Sequence, residues 1–120
     1  MKGSICHIEI PADNLESLKK FYGGLFEWSF EKMPGDIEYY GIKQGDESLG
    51  AGMMARQDPR QTPTFYVCVD SVNVALHRVR KEGGTVIVPR TAVKEMGWYA
   101  VVLDPQHNLF GLWQSDEKAA

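Results

Sequence analysis

His7 and Glu9 stand two residues apart in "SICHIEI", a short β-branched run that reads as a strand. Side chains alternate along a strand, so an imidazole and a carboxylate project from one face. That pair could exchange protons with a bound molecule, His7 as acid/base or hydrogen-bond donor and Glu9 as base. A purely structural role is the other reading, with His7 satisfying Glu9 across one pleat. Elsewhere the chemistry is thin. Cys6 and Cys68 are too few and too distant for a CxxC metal or redox motif, and two reduced, buried thiols are expected. His77 and His107 read as a helix-surface and a turn residue with no partner motif nearby. The glycines of "GDESLGAG" and "EGGTV" lack GxGxxG or Walker spacing, so phosphate binding is not indicated. No spacing suggests a Ser/His/Asp or Cys/His constellation.

The elements that must position these residues repeat along the chain. The first strand, Ser4 to Ile10, is broken by Pro11 and Asp13, after which Asp13 and Glu16 fit a capping box. Leu15, Leu18, Tyr22 and Leu25 then recur at helical spacing. Three short strands follow within Trp28–Lys32, Glu38–Lys43 and Leu49–Ala55, separated by the turn residues of "PGD" and "QGDES". The second half repeats the order: a strand in "TFYVCVD", a helix in "SVNVALHRVRKEGG", and strands within Thr85–Val88, Trp98–Leu103 and Asn108–Trp113. Sliding the chain by 57 residues brings Asp13 onto Asp70, Leu15 onto Val72 and Tyr22 onto Val79. The pattern is βαβββ twice, an α+β fold of two modules, about 1–57 and 58–120, within a single domain. Alternation places Ile8, Ile10, Phe65, Val67 and Val69 beneath the helices. His7, Glu9, Thr64 and Tyr66 fall on the opposite face, where two curled mixed sheets would form a shared cup. Met53 and Met54 are expected to pack.

Composition limits the partners. The chain has 120 residues, 43% hydrophobic and 24% charged, with a formal net charge of -3. That is one globular domain, with no basic concentration for nucleic acid. No apolar run is long enough to span a membrane, and "MKGSICHIEI" has no signal-peptide h-region, so a cytoplasmic location is the default expectation.

"HIEIPADNLESLKKFYGGLFEW", "VDSVNVALHRVRKEGGTVIVP" and "MGWYAVVLDPQHNLFGLWQ" together make the chain resemble the vicinal oxygen chelate superfamily, which includes glyoxalase I, bleomycin-resistance proteins and extradiol dioxygenases. The resemblance covers nearly the whole chain and is greatest to small glyoxalase-like members. It implies the cup, and in metal-dependent members a divalent ion held by residues of the first, fourth, fifth and eighth strands, usually His and Glu. Carried across, the first position falls on His7, which matches. The fifth-strand position falls on Thr64, a poor stand-in for imidazole. The fourth-strand stretch "SLGAGMMARQ" contains no His, Asp or Glu, and the last position falls on Gly111. One ligand of four does not hold a divalent ion, so neither the family metal nor any other cofactor is expected.

Gly111, between Leu109 and Trp113 on one strand face, predicts a notch the size of the missing carboxylate. Thr64, Tyr66, Trp98, Leu109, Gly111 and Trp113 are therefore the candidate ligand-binding residues, and His7 and Glu9 the candidate catalytic ones. For the aromatic residues, filling the core is the competing role. The expected function is binding of a small organic ligand, as in bleomycin-resistance proteins. The alternative is a lyase, isomerase or dioxygenase-type enzyme of the glyoxalase family acting on a small oxygenated metabolite. A homodimer is expected, with no nucleic-acid or membrane partner.

Overall fold

The computed structural model describes residues 3–35, 37–45 and 49–120. Its order of elements is the βαβββ repeat: β1 (Ser4–Ala12), α1 (Leu15–Phe26), β2 (Ser29–Lys32), β3 (Tyr39–Lys43) and β4 (Gly50–Ala55), then β5 (Thr64–Cys68), α2 (Val72–Lys81), β6 (Thr85–Val93), β7 (Gly97–Leu103) and β8 (Leu109–Ser115). The chain divides into two compact units, 7–64 and 1–6 with 65–120. This division differs from the sequence repeat, because the first three residues of β1 join the second unit. Cys6 is disulfide-bonded to Cys68 there, with their α-carbons 5.9 Å apart. The expectation of two reduced thiols is thereby corrected. A rule based on local CxxC spacing is blind to a pair 62 residues apart that strand placement brings together.

In the unit 7–64, the strands run in the order β2-β3-β4-β1. β1 and β4 are parallel, with His7 opposite Gly50 and Glu9 opposite Gly52; β3 is antiparallel to both its neighbours. The core lies between this sheet and α1, where Ala12, Leu15, Ile42 and Met53 are buried and Ile10, Leu18, Tyr22 and Tyr40 pack against them. These are alternate residues of β1, β3 and β4, so the opposite parity, His7, Glu9, Tyr39 and Gly52, faces away from the helix. β1 runs through Pro11, which pairs in register with Met54, because the fixed φ of proline suits an extended chain. The cap of α1 also differs from expectation. Asn14 is extended and its Oδ1 accepts the Ser17 N–H at 2.9 Å, whereas Asp13 accepts from Arg56 Nε at 2.8 Å.

In the other unit the order is β5-β8-β7-β6, with β5 and β8 parallel and the rest antiparallel. Val72, Ala75 and Leu76 of α2 are buried against Ala100, Val102 and Leu112. Ser71 caps α2, accepting the Val74 N–H at 3.2 Å. β6 continues past Pro89 to Val93 with two register shifts, which an edge strand of its sheet accommodates. Among the described residues, no helix is long and apolar enough to cross a membrane.

Candidate functional site

In the unit 7–64, His7, Glu9 and Tyr39 come together on the sheet face away from α1. The Nε2 of His7 and the Oη of Tyr39 are hydrogen-bonded at 2.6 Å, and Glu9 Oε2 lies 4.0 Å from the same nitrogen. The rings of His7 and Tyr39 are nearly parallel, 18° apart. The His7 side chain is 31% exposed and that of Glu9 20%, so the cluster is sheltered without being sealed. Burial lowers the pKa of His7 below its ordinary 6.5 by penalising the charged ring, while the Glu9 carboxylate opposes that shift. Burial thus favours the neutral imidazole over the charged one.

Tyr39 stands in no sequence motif, and the residue that signals it is Gly52. A β-carbon on Gly52 would overlap the phenol end of Tyr39, because the ring crosses from β3 and lies over that glycine. A glycine inside a strand, as in "LGAGMMA", marks such a close approach.

The same arrangement recurs in the other unit. Tyr66 and Gly111 are directly opposed across the β5–β8 ladder, and a β-carbon on Gly111 would overlap the Tyr66 ring. The expected empty notch at Gly111 is thus corrected: the neighbouring strand fills it. Trp113 shares this face. Its ring lies against Gly97 of β7, and its Nε1 donates to Ser115 Oγ at 3.1 Å. Leu109 opposes Leu103 at the start of β8.

Trp98 lies elsewhere. It pairs with Gln114, packs against the Val72–Leu112 core on the α2 side, donates from Nε1 to Asp116 at 3.0 Å, and carries Arg90 3.7 Å above its ring. Its placement with Gly111 and Trp113 is corrected, because Tyr99 is the β7 residue that shares Trp113's parity. Thr64 is buried, and its hydroxyl donates to the Thr62 carbonyl at 2.9 Å.

Of the four metal positions implied by the resemblance, only His7 carries a strong donor. Among the described residues, no three His, Cys, Asp or Glu side chains cluster in a way that could hold a metal ion.

The lowered pKa of His7 has a consequence for stability. The unfolded chain takes up a proton near pH 6.5, whereas the folded chain does so only at lower pH. The contribution of His7 to stability is therefore full above about pH 6.5 and is lost as pH falls from there through the folded value. Urea midpoints measured between about pH 8 and 5 should decline in the wild type and flatten in His7→Gln. Equal slopes in the two proteins would contradict this assignment.

Comparison with known proteins agrees with the architecture. The profile of the Glyoxalase/Bleomycin resistance protein/Dioxygenase superfamily matches residues 4–112. A Mycobacterium bovis protein named as a candidate glyoxylase is 25% identical over 116 residues, covering 91% of this chain and 44% of that one. The chain thus spans under half the length of that relative. A glyoxylase-like domain-containing protein of Didymella fabae is 30% identical over 91 residues, 70% of this chain and 71% of that one. A crystal structure of a hypothetical protein from Bacillus halodurans shares the fold at TM-score 0.76 and 13% identity, covering 100% of this chain and 99% of that one. The chain belongs to the Glyoxalase/Bleomycin resistance protein/Dioxygenase superfamily.

Proposed function

We propose that this superfamily member binds a small organic molecule on a sheet face turned away from its helix, without the divalent metal of its metal-dependent relatives. The observation that carries this reading is the pair Gly52 and Gly111, each lying beneath a tyrosine ring. Gly111 occupies a position where a metal site needs a carboxylate, and Gly52 lies in the fourth-strand stretch that should supply another. Neither glycine can ligate an ion, and the space above each holds a phenol ring. With Thr64 donating to backbone, the donor set does not fit a divalent cation. Tyrosine and tryptophan present flat apolar faces with a polar tip, which suits a partly aromatic, oxygen-bearing ligand.

A second reading is a lyase, isomerase or dioxygenase-type enzyme acting on a small oxygenated metabolite. The 2.6 Å bond between His7 and Tyr39 favours it, because a neutral imidazole held against a phenol can move a proton. Both readings include a homodimer. The exposed Phe21, Leu25 and Phe26 of α1 support it as apolar surface in need of cover, and light scattering at the mass of one chain would remove it.

The test is a thermal-shift screen of metal-depleted protein against 2-oxo acids, 2-hydroxy acids, catechols and planar aromatic carboxylates. A compound that raises the melting temperature of the wild type, and does so much less in Tyr39→Phe or Trp113→Ala, is the expected result. No response across the panel, or responses only after Zn is added, would overturn the proposal.

A further inference from the structure

Tyr39 is placed by two independent features. Gly52 leaves the room that lets the phenol cross from β3 over β4, and His7 fixes its oxygen at 2.6 Å. A structural tyrosine needs only some partner for its hydroxyl. Here the partner is a half-buried imidazole with a carboxylate 4.0 Å from its bonded nitrogen. In the tautomer whose ring proton sits on Nδ1, the phenol O–H donates to Nε2.

We infer that Tyr39 is the general base of the small-molecule site, its oxygen taking a proton from a bound compound that carries an acidic O–H or N–H while its own proton passes to His7 Nε2. The transfer balances. The compound becomes an anion, the phenol is regenerated, and the imidazolium formed lies beside Glu9, whose negative charge stabilises it. Release of the proton to solvent restores the neutral ring. Glu9 acts through His7 and not on the ligand, so the structure assigns it a positioning and electrostatic role.

This inference rests on the small-molecule reading above, yet it can be tested without any ligand, so that the two can fail separately. The probe is an aryl sulfonyl fluoride, which modifies activated phenols. The Tyr39 O–S bond forms as the S–F bond breaks, fluoride leaves, and the phenol proton is taken up by His7. Peptide mapping by mass spectrometry reads each tyrosine. Tyr40, on the same strand and bonded to Glu38 at 3.2 Å, is the internal reference.

Tyr39 should react about tenfold or more faster than Tyr40, a modest share of what a positioned base supplies. His7→Gln should reduce Tyr39 to the rate of Tyr40, and Glu9→Gln should slow it by a smaller factor. Gly52→Ala should also abolish the excess, because the added methyl displaces the ring from His7. Circular dichroism establishes that each variant is folded, and 15N resonances of the wild-type imidazole should place its proton on Nδ1. Equal rates for Tyr39 and Tyr40 in the wild type would overturn the inference. So would an excess that survives in folded His7→Gln or Gly52→Ala, or a proton found on Nε2.

Discussion

Replacing Gly111 with leucine is expected to lower folding stability by about 1–3 kcal/mol, the usual cost of overpacking, with the Tyr66 ring as the obstacle. The two residues oppose each other across β5 and β8, so the ring and a new side chain compete for one volume. Removing the ring should relieve the conflict. In a Tyr66→Ala background the added leucine should cost little, because it refills the space that the phenol vacated. Urea unfolding of the wild type, both single variants and the double variant forms the cycle that measures this coupling. If Gly111→Leu costs the same with and without Tyr66, the ring is not what fills the space above the glycine.

The second large effect belongs to the cross-link between Cys6 and Cys68. It joins residues 62 apart, so it removes much freedom from the unfolded chain, and losing it should cost about 2–4 kcal/mol. Oxidised protein should unfold at a higher urea concentration than protein held in dithiothreitol, and the Cys6→Ala/Cys68→Ala variant should match the reduced form. Titration of two free thiols per chain under oxidising conditions, with no change in the midpoint on reduction, would contradict the bond.

Much of the fold is legible in the sequence because periodicity and turn chemistry agree in both halves. Leu15, Leu18 and Tyr22 mark α1, and Val72, Ala75 and Leu76 mark α2, each as one helical stripe that the structure buries or half-buries against its own sheet. Alternation likewise puts His7 and Glu9 on one face. Errors arise where a residue's role depends on a neighbouring strand. Trp98 and Tyr99 are adjacent, and only the pairing of Tyr99 with Trp113 shows which of them faces away from α2. Gly111 read alone is a vacancy, whereas beside Tyr66 it is a seat for a ring. Tyr39 carried no motif of its own, since its importance comes from Gly52 thirteen residues later in the chain and from His7 on another strand. The N-cap of α1 shows the same limit at short range. Asp13 and Asn14 are both good caps, and Arg56 decides between them by engaging Asp13.

The claim on which the account most depends is that glycines beneath tyrosine rings have taken the place of metal donors. Calorimetric titration of Zn2+ into protein freed of metal by EDTA tests it directly, with His7→Ala as the control. No saturable one-to-one binding that distinguishes the two proteins is expected. One equivalent of Zn2+ bound by the wild type and lost in His7→Ala would show that His7 completes a metal site with donors the account does not assign, and would contradict it.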